Sequence, residues 1–89
     1  MSEGDRQAAY ERVRAVKSAH EDELMAKANV VGVGIGLRQR GGKPTNEVAL
    51  VAMVTRKVPL SQLKPEDVIP AELEGIPVDV QEVGEIRAQ

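Results

Sequence analysis

Val30-Val31-Gly32-Val33-Gly34-Ile35-Gly36-Leu37 is the stretch on which the fold turns. Its period is two: Val31, Val33, Ile35 and Leu37 fall on one side, and Gly32, Gly34 and Gly36 on the other. That alternation is the signature of a β-strand. Glycine weakens a strand through backbone entropy, so three of them on one face need a compensating reason. The pattern predicts close approach by another backbone, either an N-terminal helix or a neighbouring subunit.

On the C-terminal side, Arg38-Gln39-Arg40-Gly41-Gly42-Lys43-Pro44-Thr45 reads as a hairpin loop. Gly41-Gly42 supplies positive φ, and Pro44 is expected to bar continued pairing. The second strand, residues 47–56, is apolar on both faces, with Val48, Leu50, Ala52 and Val54 on one and Ala49, Val51 and Met53 on the other. A strand buried on both sides is a central one. Four prolines, Pro59, Pro65, Pro70 and Pro77, forbid a long regular element after it. Leu60–Leu63 and Pro65–Val68 can each form a single helical turn, the first capped by Ser61 and the second started by Pro65. Glu74-Gly75 marks a turn, and Val78-Asp79-Val80-Gln81-Glu82-Val83 alternates as a half-exposed last strand.

On the N-terminal side, residues 5–28 read as one amphipathic helix. Ala9, Val13, Val16, His20 and Leu24 recur at spacings of three and four and form a narrow apolar stripe. Asp5 is placed to cap its start and Asn29 to stop it in the left-handed region. Lys17 with Glu21, and Glu23 with Lys27, are spaced for ion pairs. The expected fold is therefore α+β: one domain over residues 1–89 with a flexible lead at 1–4, in which a long N-terminal helix packs on a small three-stranded, mainly antiparallel or mixed sheet.

Composition narrows the function. A domain of 89 residues buries only about 60% of the surface its unfolded chain exposes. With no Trp or Phe and a single Tyr, its core must be aliphatic. The absence of cysteine removes thiol chemistry and thiolate metal sites, and fits a reducing compartment. The N-terminus is polar and no apolar run reaches the ~18–20 residues of a membrane span, so a cytoplasmic location and no membrane partner are expected. Charge is unevenly placed. Residues 30–59 hold Arg38, Arg40, Lys43, Arg56 and Lys57 against Glu47, and residues 60–89 hold seven acids against Lys64 and Arg87.

The chemical motifs are weak. Gly32-x-Gly34-x-Gly36 lies inside a strand and not at a strand-to-helix turn, so no helix amides would meet a pyrophosphate. His20 is the one imidazole and has no second histidine or cysteine to complete a tight metal site. At an interface it would make association sensitive to pH. Glu21, Asp22 and Glu23 point in different directions around a helix and make no acid–base pair. Arg38, Arg40 and Lys43 on a glycine loop are the candidate anion-binding group, but no aromatic is there to stack bases and the chain is acidic overall, which disfavours nucleic acid. No catalytic residue, metal ligand or cofactor is expected, and the chain is not read as an enzyme.

The segments Asn29–Gly36, Gly42-Lys43-Pro44-Thr45, Ala49–Val54, Lys57-Val58-Pro59-Leu60, Ile69-Pro70 and Gly75–Gly84 together give a resemblance. The sequence resembles the N-terminal region that precedes trypsin-like serine peptidase domains in many bacterial proteins, over about residues 19–88. In that family the peptidase follows the segment matching Val83-Gly84-Glu85-Ile86-Arg87, where this chain stops, so no triad residue carries over. The resemblance implies an accessory module with a serine peptidase domain as a possible partner.

The function expected from the residues is protein association, in the first place self-association into a homo-oligomer. One helix covers one face of a sheet, and the middle strand is apolar on both. Val13, Val16, His20 and Leu24 on the helix, with Gly32, Gly34 and Gly36 on the strand, are the candidate interface. The alternative is an inhibitory or folding-assisting domain of a trypsin-like peptidase.

Overall fold

The computed structural model describes residues 3–84 and is α+β: a long helix, α1 (Glu3–Met25), lies on a mixed four-stranded sheet. The strands are β1 (Val30–Arg40), β2 (Lys43–Val54), β3 (Glu72–Leu73) and β4 (Ile76–Glu82), in the spatial order β1-β2-β4-β3. β2 is central, as its two apolar faces require. Three strands were expected and four are present. The additional one, β3, is two residues long, too short for any periodicity to register.

α1 differs from the expected helix at both ends. It already includes Glu3 and Gly4, within the expected flexible lead, of which Met1 and Ser2 lie outside the described residues. Asp5 thus sits inside the first turn rather than before it, where a carboxylate still favours the positive pole of the helix. At the other end the helix stops at Met25, and Asn29 takes φ 69° as the left-handed stop before β1. Asp67 Oδ1 then accepts the Ala28 amide at 3.0 Å, and Lys27 donates to the Glu66 carbonyl at 2.7 Å. The expected Glu23–Lys27 pair is replaced by these contacts, whereas Lys17–Glu21 forms at 3.0 Å.

β1 and β2 form a long antiparallel hairpin closed by Gly41-Gly42, whose φ values of 58° and 79° suit the two-residue turn that matches strand twist. Pro44 does not bar pairing: it lies opposite Gln39 within the ladder. The Gln39 amide turns away from β2 and donates to Asp79 Oδ2 at 2.7 Å, so a residue without an N–H costs nothing opposite it. That bond also shows the hairpin's shape. A register shift between Leu37 and Gln39 bends the hairpin, and its end reaches across β2 to touch β4.

β4 pairs with β2 in parallel, Leu50 with Val78 through Val54 with Glu82. A parallel neighbour needs a crossover, here residues 55–75, with two 3₁₀ turns, Leu60–Gln62 and Pro65–Asp67. The first is preceded by Pro59 with no side-chain cap, in place of the expected Ser61 cap. Under α1 lies the core: Val13, Val16, Leu24, Leu50, Ala52 and Val78 buried, with Val33, Ile35, Ile69, Leu73 and Ile76 packed against it.

Candidate functional site

The two faces of β1 are occupied differently from what its alternation predicts. Val33 and Ile35 pack toward the core beneath α1. The glycines face away from the helix, and what approaches them is side chain, not backbone. A Cβ on Gly32 would lie 2.8 Å from Met53 Cε, one on Gly34 3.7 Å from the same atom, and one on Gly36 3.2 Å from Val51 Cγ2. β1 gives up its side chains on that face so that those of β2 can lie over it. With the bent hairpin, this buries Ala49 completely and leaves Val51 7% exposed, with no second layer of helix.

The helix stripe is likewise used within the protomer. Val13, Val16 and Leu24 are buried under α1 against the chain's own sheet, so they have no surface left for a second molecule. His20 is partly buried and lies between two carboxylates, its Nδ1 3.2 Å from Glu23 and its Nε2 2.9 Å from Glu74. Its pKa is raised above the ordinary 6.5, first by the bond to Glu74 and then by that to Glu23. When protonated, the ring donates to both acids and ties α1 to the turn between β3 and β4. Sequence reasoning missed Glu74 because it lies 54 residues away.

Arg38, Arg40 and Lys43 do not converge on one point. Arg38 donates to Glu47 at 3.0 Å, while Arg40 and Lys43 face each other across the hairpin beside its turn, exposed. The acidic last third serves backbone more than cations: Asp79 accepts the Gln39 amide, Glu82 the Lys57 amide at 2.8 Å, and Asp67 the Ala28 amide.

What remains open is the outer edge of β1. This strand has 11 residues and a single hydrogen-bonded neighbour, β2. Val31 and Leu37, near the two ends of its apolar stretch, are 39% and 44% exposed. No proline interrupts it and no charge lies between Val30 and Leu37.

The family model described as NARROW LEAF 1 N-terminal domain matches residues 11–83. The chain belongs to this family. The match corrects the resemblance to the bacterial peptidase-associated region: the NARROW LEAF 1 N-terminal domain is a different, plant-related family, and its match takes in most of α1 as well as the sheet. The short motifs that carried the resemblance, glycine alternation and isolated prolines, are generic to small sheets, and the reading as a peptidase accessory loses its basis with them. None of the curated proteins compared matches the chain. Among the described residues no helix is long and apolar enough to cross a membrane.

Proposed function

We propose that this NARROW LEAF 1 N-terminal domain is a non-catalytic association module that self-assembles by pairing the outer edge of β1 with the same edge of a second copy. The observation that carries the reading is the outer edge of β1, which pairs with no other strand among the described residues and is apolar from Val30 to Leu37. An edge of that length presents unpaired backbone donors and acceptors, and folded proteins blunt such edges unless they use them.

The edge is self-complementary. An antiparallel pair centred on Gly34 sets Val31 opposite Leu37 of the second copy and Val33 opposite Ile35, so the two exposed apolar side chains cover each other. A two-fold contact of this kind is closed and does not propagate into fibres. Arg38 falls opposite Val30 and not opposite another arginine, so no like charges meet across the pair. The earlier expectation of a contact through the helix stripe is not retained, because the stripe is buried.

Cross-linking tests the register. The chain has no cysteine, so V31C/L37C starts from a clean background. The double variant should form a disulfide-linked dimer on mild oxidation, whereas V31C alone should not, because two copies of residue 31 would stand roughly 20 Å apart. V31K/L37K should weaken association at least tenfold in sedimentation and leave the urea midpoint within error, since both sites are exposed. A wild-type chain that stays monomeric at hundreds of micromolar overturns the proposal.

A further inference from the structure

Beyond the edge of β1, one feature of the fold has chemistry of its own. α1 ends at Met25, and no residue of it lines the hollow beside the ends of β2 and β4. Beyond it, the helix side of the sheet is covered by the crossover, which covers it incompletely. A pocket of about 270 Å³ remains, with Val54 and Val80 from the sheet on its floor and Val58, Leu60, Leu63 and Ile69 from the crossover around it. Its volume is nearly twice the roughly 150 Å³ that accommodates a benzene ring.

The charged lining is two cations, Arg56 and Lys57, against one carboxylate, Asp67, an excess of positive charge. Asp67 spends Oδ1 on the Ala28 amide, and Glu82 nearby spends Oε1 on the Lys57 amide. Arg56 and Lys57 also line the pocket, are exposed, and make no side-chain hydrogen bond or ion pair among the described residues. Leu60, at 71% the most exposed large apolar side chain among the described residues, stands in the same lining, held on a 3₁₀ turn behind Pro59. An apolar hollow with a few convergent polar groups is the usual form of a small-molecule site. The second pocket of the fold, about 440 Å³ between α1 and the start of β2, carries Arg12 and Glu47, one charge of each sign, and selects for neither.

We infer that the pocket between the end of α1 and the crossover is a binding site for a small aliphatic carboxylate, its chain lying among Val54, Val58, Leu63, Ile69 and Val80 and its head group meeting Arg56 and Lys57. The guanidinium of Arg56 offers the paired donors that match a carboxylate, and Lys57 adds a second charge. Leu60 closes over the aliphatic chain. The site is independent of the β1 edge, so its success or failure says nothing about self-association.

The test is a chemical-shift titration of the ¹⁵N-labelled chain with sodium octanoate, octan-1-ol and sodium acetate. Octanoate should move the amides of Lys57, Val58, Leu63, Ile69 and Val80 saturably. Octanol should move the same amides with affinity weaker by about tenfold or more, since it cannot take up the charge-assisted hydrogen bonds of Arg56 and Lys57. Acetate, lacking the chain, should move none of them saturably. R56Q/K57Q, at exposed positions, should keep the wild-type spectrum elsewhere and bind octanoate no better than octanol. Equal binding of octanoate and octanol by the wild type, saturation at residues outside the pocket, or no saturable shift with octanoate each overturn the inference.

Discussion

The two edges of the sheet are built on opposite plans. On the β4 side the edge is dressed: β3 pairs Glu72 and Leu73 with Pro77 and Ile76, and the Val78 amide donates to the Ala71 carbonyl at 2.9 Å. Pro77 offers no donor, and Asp79 and Glu82 put charge along the same strand. On the β1 side no described strand covers the edge, charge is confined to Arg38 and Arg40 at its end, and the strand is longer and more apolar. Covering, proline and inward or edge charge are the means by which sheets avoid unwanted pairing. One edge uses all three and the other none between Val30 and Leu37. The contrast teaches that the bare edge is a feature of this fold, and the proposed association through β1 rather than β4 rests on it.

Stripping the cover from the dressed edge should have the largest effect. Leu73→Ser removes an apolar side chain packed against the core and is expected to cost about 2 kcal/mol in urea unfolding. Amide exchange should quicken along β4 and stay unchanged along β1. Equal quickening of both strands would show that β3 is not a separate cover.

A smaller effect of opposite sign separates edge pairing from face packing. At Gly34 a Cβ would meet Met53 Cε at an ordinary 3.7 Å, so Gly34→Ala should stabilise the protomer by about 0.5 kcal/mol through reduced unfolded-state entropy. Gly36→Ala should gain less, because Val51 Cγ2 at 3.2 Å must give way. An edge-to-edge dimer should keep its affinity in G34A, since the added methyl projects from the sheet's face. Loss of association in G34A, with stability gained, would move the contact from the edge to the glycine face.

The smallest effect concerns pH and acts on the dressed edge alone. His20 holds the β3–β4 turn to α1, and Glu74 sits there at φ 50°, a left-handed conformation that a non-glycine residue adopts at some cost. Because the folded-state pKa of His20 is raised, its contribution to stability is complete below the unfolded value near 6.5 and is lost as pH rises through the higher folded value. The urea midpoint should therefore decline gently from pH 6 to pH 8, with Glu23 and Glu74 the groups facing the imidazole. His20→Gln should flatten that slope. A midpoint that instead rises over this range would contradict the assignment.

Much of the frame was legible in the residues. Helix, hairpin, central β2 and the turn at Glu74-Gly75 each carry a local signal: a spacing of three and four, an alternation, a glycine pair, a left-handed stop at Asn29. β3 was not legible, because two residues carry no period, and neither was the parallel pairing of β4, because strand direction in a sheet is a matter of where the crossover goes. The pocket left a trace in Val58, Leu60, Leu63 and Ile69, apolar residues scattered through a proline-rich stretch, but no spacing tells such residues from core. The glycines of β1 were read correctly as a sign of close approach and wrongly as to what approaches, since a glycine shows that room is needed and not who fills it.

The sequence by itself determined which segments are helix and strand and that β2 is buried on both faces, for these follow from periodicities within a dozen residues. The tertiary structure alone decided that Met53 and Val51 cover the glycine face, that His20 meets Glu74, that the helix stripe is consumed internally, and that β1 rather than β4 keeps an open edge. Those outcomes depend on the bend of one hairpin and the route of one crossover. Both bring together residues far apart in the chain, whose partners no local pattern can specify.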